Sequence, residues 1–88
     1  MKIKEGYILR EVAGSNIVVP IGNAQVSFNG IMTLNDVGTF IWKLLENGAD
    51  KQQILQAVLD EYDVDSERAE HDIAIYLEKL RSKDLIED

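Results

Sequence analysis

The apolar positions change their spacing once along this chain, at about Leu34. Before it, short β-branched runs are separated by turn residues; after it, the apolar residues recur at helical intervals. Tyr7-Ile8-Leu9-Arg10-Glu11-Val12 reads as a strand and Ala13-Gly14-Ser15-Asn16 as the turn that follows. Ile17-Val18-Val19-Pro20-Ile21 is a second, more buried strand. Pro20 has no N–H to give a ladder, so it belongs at the end of that strand or on an edge. Gly22-Asn23 turns the chain, residues 24–28 fit either a strand or an extended loop, and Asn29-Gly30 is another turn. Ile31-Met32-Thr33-Leu34 is then a third short strand of an antiparallel sheet.

Three helices follow. Asn35 is placed to cap the first and Asp36 to favour its dipole; Val37, Phe40, Ile41, Leu44 and Leu45 form its stripe, and Gly48 ends it. Asp50 with Gln53 spells a capping box for the second, whose stripe is Ile54, Leu55, Val58, Leu59 and Tyr62. Asp65 caps the third, with Ala69, Ile73, Tyr76, Leu77 and Leu80 on one side, and Leu85-Ile86 folds back at the end. The class predicted is α+β: a three-stranded antiparallel sheet followed by a three-helix bundle, in a winged helix-turn-helix-like arrangement.

The length of 88 residues fits a single domain over 1–88 with a small core. With no cysteine, there is no disulfide, no thiolate metal site and no cysteine nucleophile. Such a domain rests on packing or on a partner, and a homodimer stays open. The net charge of −7 is uneven: residues 1–34 sum to +1, residues 35–62 to −3 and residues 63–88 to −5. An acidic C-terminal half argues against phosphate neutralisation and so against nucleic acid, and it suits a partner with basic residues. No apolar run marks a signal peptide or a membrane span, so a cytoplasmic protein is expected.

Chemistry is sparse. His71 is the single histidine; it falls away from the apolar stripe and has no companion at metal-ligand spacing. Gly22, Gly30 and Gly38 form no phosphate-binding loop, and the acids at 60–65 read as helix-end capping rather than a calcium loop. No catalytic residue, metal or cofactor is expected. A binding surface is more legible. At about 100° per residue, Arg68, Asp72, Ile75 and Lys79 gather on one arc of the third helix, away from the buried stripe. Ile75 is then either a lone exposed aliphatic or the lining of a groove whose polar rim is Arg68, Asp72 and Lys79. If the strand at 31–34 is an edge, its free N–H and C=O groups can template an extended peptide. Cover from residues 22–29 or from a dimer partner is the competing arrangement.

The sequence resembles the PqqD family, the RiPP precursor-peptide recognition elements, over residues 7–86. The likeness is carried by Ile8-Leu9-Arg10-Glu11-Val12, Val18-Val19-Pro20, Thr33-Leu34-Asn35-Asp36-Val37-Gly38 and Ile41-Trp42-Lys43-Leu44-Leu45. It continues through the helix at 54–62, Tyr62-Asp63-Val64-Asp65 and Leu77-Glu78-Lys79-Leu80. The resemblance implies a winged helix-turn-helix-like fold that binds the leader region of a precursor peptide. By that resemblance the leader adds to the third strand, here Ile31, Met32, Thr33 and Leu34, and rests against the third helix, where the helical wheel selects Arg68, Asp72, Ile75, Tyr76 and Lys79. It implies a non-catalytic peptide chaperone that presents its guest to a radical SAM or other peptide-modifying enzyme. The family's best-known member does so in pyrroloquinoline quinone synthesis; a related peptide-modification pathway is the expectation here. The alternatives are a winged-helix DNA-binding protein and a structural dimer module.

Overall fold

A computed structural model describes residues 1–22 and 32–88. The strands are β1 (Lys2–Ile3), β2 (Tyr7–Val12), β3 (Ser15–Pro20), β4 (Met32–Leu34) and β5 (Ile86–Glu87). The helices are α1 (Asp36–Glu46), α2 (Lys51–Glu61) and α3 (Ser66–Ser82). The fold is α+β, an antiparallel three-stranded sheet in the order β2-β3-β4 followed by three helices, consistent with a winged helix-turn-helix-like arrangement. The turn and strand readings for residues 23–30, and Ile31 itself, lie outside the described residues.

The hairpin between β2 and β3 is tighter than the sequence suggests. Only Ala13 and Gly14 form the turn, with φ of 52° and 82°, and Ser15 and Asn16 already belong to β3. Two successive positive φ values match the right-handed twist of the strands, which favours this two-residue link. Pro20 ends β3 opposite Tyr7, at the strand end that its missing N–H favours.

The helix starts follow the capping residues. Asn35 accepts from the Gly38 N–H at 2.7 Å, and Asp65 accepts from that of Arg68 at 3.2 Å. The capping box is complete, with Gln53 N–H on Asp50 at 2.8 Å and Asp50 N–H on Gln53 at 2.9 Å. Past α1, Gly48 takes a φ of 88° and donates to the Leu45 carbonyl at 3.1 Å, a left-handed ending natural to glycine.

The stripe predicted for α1 needs correction. Ile41 and Leu45 are buried, but so are Thr39 and Trp42, while Val37, Phe40 and Leu44 are only partly covered. Helix α1 packs against β1 and β4 as well as α2, so it buries more than one side and a single stripe is too narrow. Trp42 has no exposure, and with Leu45, Ile54, Leu80 and Leu85 it makes the centre of the core. Burying each such side chain stabilises the fold by roughly 1.5–3 kcal/mol.

The ends of the chain form a second sheet that periodicity does not disclose. Lys2 pairs with Glu87 and Ile3 with Ile86. Leu85 and Ile86 fold back into the core, as their apolar character suggests, through a turn in which Asp84 has a φ of 61°. The Lys4 ammonium bonds the Asp84 carboxylate across this clasp. That bond holds the Lys4 pKa above its ordinary value, against a smaller opposing effect of desolvation.

Candidate functional site: a sheet edge beside a helical cleft

Strand β4 pairs with β3 on one side, and among the described residues nothing pairs with its other side. Val18, its partner opposite Met32, has no exposure, so the sheet is anchored right beside this edge. The side chains of Met32 and Leu34 are buried and that of Thr33 is exposed. This strand therefore offers a visitor its backbone and Thr33, while its neighbours on either side of Thr33 hold it to the core.

Leu34 leads through Asn35 into α1, and the geometry there is set by Gly38. A methyl group added at Gly38 would sit 3.1 Å from Asn35 Oδ1, 3.3 Å from Tyr76 Cε1 and 3.6 Å from Leu34 Cβ. The edge strand, the start of α1 and the middle of α3 thus converge on one glycine, where only hydrogen fits without displacement. Tyr76 is fixed on the same spot, its hydroxyl donating to the Gly38 carbonyl at 2.8 Å. Burial pushes the Tyr76 phenol well above its ordinary range, so it stays a neutral donor throughout the physiological pH range.

Beyond this junction lies a cleft of about 260 Å³ between the start of α1, the end of α2 and the first half of α3. Ile41, Val58, Ala69 and Ile73, all buried, make its floor. Tyr62 and Tyr76 flank it, and Asn35, Val64, Arg68 and Asp72 stand at its exposed margin. Tyr62 is steadied by Phe40, whose ring meets it edge-on with centroids 5.5 Å apart. Arg68 Nε and Asp72 Oδ2 are 3.8 Å apart and largely exposed, a pairing that orients the two groups and adds little stability. Such a concavity, apolar below and polar at the lip, suits an aromatic or branched aliphatic side chain.

The helix residues read from the sequence divide here. Arg68, Asp72 and Tyr76 meet on the cleft. Ile75 and Lys79 lie further round α3, on a shallow surface shared with His71, Ala74 and Glu78, and Ile75 is 57% exposed. On the strand, Met32, Thr33 and Leu34 stand at the edge, and Ile31 lies outside the described residues. Sequence reasoning passed over Asn35, Gly38, Tyr62 and Val64 as lining groups. Two signals pointed to them: a glycine in the first turn of a helix, which propensity disfavours, and a valine, Val64, among acids.

Among the described residues no group of three or more His, Cys, Asp or Glu side chains is arranged to hold a metal ion. No described helix is long and apolar enough to cross a membrane.

Residues 7–86 match the family model described as coenzyme PQQ synthesis protein D, PqqD. Among solved structures, the chain is similar to TbiB1 in complex with the TbiA(beta) leader peptide, at 29% identity and a TM-score of 0.78, covering 99% of this chain and 95% of that one. A lasso peptide synthetase B1 complexed with its leader peptide shares the fold, at 19% identity and a TM-score of 0.74, over 96% of this chain and 93% of that one. Comparison with curated proteins gave no match. The family model spans nearly the whole chain, and the fold with its capped helices and short edge strand agrees with it: the chain belongs to the PqqD family of RiPP recognition elements, whose members are generally non-catalytic peptide-binding modules.

Proposed function

We propose that this chain is a single non-catalytic recognition domain that binds the leader region of a precursor peptide and presents it to a peptide-modifying enzyme. The observation that carries this reading is the open side of β4 next to the cleft of α3. An extended leader zips onto the β4 backbone as a fourth strand, and one of its apolar side chains enters the cleft between Tyr62 and Tyr76. Main-chain bonds supply affinity without regard to sequence, and the cleft selects the side chain. The similarity to TbiB1, which was solved with a leader peptide bound, supports the assignment. The guest's modifying enzyme, of the radical SAM or another class, meets substrate at high local concentration because receptor and peptide travel together.

The peptide-contacting groups are Met32, Thr33 and Leu34 through the strand, and Arg68, Asp72 and Tyr76 through the cleft. Ile75 and Lys79 join only where the leader continues over the outer side of α3. The function uses no metal or cofactor, and its setting is the cytoplasm. DNA binding gains nothing from this geometry: α3, the helix a winged-helix protein lays in the major groove, carries four acids against three bases.

The test is an NMR titration of the chain with synthetic leader peptide from a precursor encoded beside it. Amides of residues 32–34 and of the first half of α3 should shift together and saturate. N-methylation of alternate leader amides should weaken binding with a period of two residues. Shifts confined to the β2–β3 hairpin, or N-methylation without effect, would remove the strand-addition reading.

A further inference from the structure

The three-stranded sheet has two faces, and among the described residues the helices take only one. Leu9, Val18, Met32 and Leu34 point into the core. Strand alternation and register then send Ile8, Arg10, Val12, Ile17, Val19 and Thr33 to the opposite face, with Ile8 across from Val19 and Ile17 between Arg10 and Thr33. Ile21 follows on the same side, held in line by its N–H bond to the Gly6 carbonyl at 2.8 Å. An antiparallel sheet with one solvated face normally carries polar residues there. This one carries five β-branched aliphatics, none of which packs against the buried core among the described residues; Ile8, Ile17 and Val19 are half-buried, Val12 is 52% and Ile21 43% exposed. A contiguous apolar face of that kind marks an interaction surface.

Charge narrows the occupant. Arg10 is the one formal charge on this face among the described residues, in a chain whose net charge is −7. A second copy stacked face to face would bring a guanidinium and no carboxylate, leaving both arginines without a partner in the contact. The complement is a different protein with an aliphatic patch and an Asp or Glu to meet Arg10. Thr33 of the edge strand belongs to the same face, so a peptide added beyond β4 would extend that face with its own alternate side chains. A partner seated there touches receptor and guest together.

We infer that the outer face of the β2-β3-β4 sheet is the docking surface for the enzyme that modifies the bound peptide, with Arg10 as its charged contact. The identity of that partner rests on the leader-binding reading; the surface itself does not. The experiment titrates the full chain, with and without leader, against the purified peptide-modifying enzyme encoded beside it. Three variants are compared with the parent: Val12→Lys with Ile21→Lys, Arg10→Glu, and Arg10→Lys. Circular dichroism checks the fold, which the exposure of all three positions should spare. The first two are expected to weaken enzyme binding at least about tenfold while leader affinity stays within about twofold, and Arg10→Lys to retain most of the binding. Unchanged enzyme affinity in the first two variants, or enzyme protection of α3 amides around Ile75 in place of the sheet, overturns the inference. So does a concentration-dependent dimer that the lysines abolish. Loss of leader binding in the parent with enzyme docking intact would instead refute the leader reading and leave the surface standing.

Discussion

Replacing Tyr76 by Phe tests the junction on which the proposed groove depends. The substitution keeps the ring against Gly38 and removes one hydroxyl, whose bond to the Gly38 carbonyl measures 2.8 Å. That carbonyl sits in the first turn of α1 and retains its helical acceptor role, so the net loss is that of one ordinary hydrogen bond, about 0.5–1.5 kcal/mol. In a domain of this size that lowers Tm by roughly 4–8 °C per kcal/mol. The pH dependence gives a sharper check. The folded state raises the Tyr76 pKa from an ordinary 10.0 through burial. The unfolded chain therefore loses this proton first, and the stabilisation present below pH 10 is progressively lost as pH rises above it. One unit above that ordinary value the loss is about 1.4 kcal/mol for one group. The parent should therefore be the more stable protein at pH 7, and its curve should meet that of Tyr76→Phe between about pH 10 and 11, where the alkaline loss equals the bond's contribution. Urea unfolding followed by the fluorescence of Trp42, which is fully buried, reads this at each pH. Parallel curves from pH 9 to 11.5 would show that the phenol is as well solvated in the fold as outside it, and would refute the reasoning.

Other outcomes follow from the same contacts. Asp50→Ala removes the carboxylate that accepts from the Gln53 N–H, leaving only the backbone N–H of residue 50 for Gln53, and should cost about 0.5–2 kcal/mol in urea unfolding; an unchanged midpoint would show that α2 starts without it. Gly38→Ala gains up to about 1 kcal/mol of helix propensity but pushes on Asn35 Oδ1 and the Tyr76 ring. Stability should stay within about 1 kcal/mol of the parent while calorimetry shows leader affinity falling several-fold; full affinity would mean that Gly38 does not set the groove. Trp42→Ala empties the centre of the core at a cost of about 3–5 kcal/mol, comparable with the entire stability of a small domain, and circular dichroism should show a largely unfolded chain at 37 °C.

Much of this protein was written in local sequence. The capping residues Asn35, Asp50 and Asp65 set the starts of the three described helices, because each cap is a contact within three residues that needs no tertiary partner. The α3 stripe was equally legible, since Ala69, Ile73, Leu77 and Leu80 repeat at the period of the helix that buries them. Tertiary structure decided the rest. The pairing of Lys2–Ile3 with Ile86–Glu87 joins opposite ends of the chain, and two-residue strands have no periodicity to read. Trp42 joined the core because α1 is covered from more than one direction, a matter of what surrounds a helix and not of its own spacing. The site divided along the same line. A helical wheel placed Arg68 and Asp72 on one arc with Ile75 and Lys79, but which part of that arc borders a cleft depends on where α1 and α2 approach it. Gly38 let Tyr76 and Leu34 close on one point, and only the assembled chain could bring residues so far apart in sequence within reach.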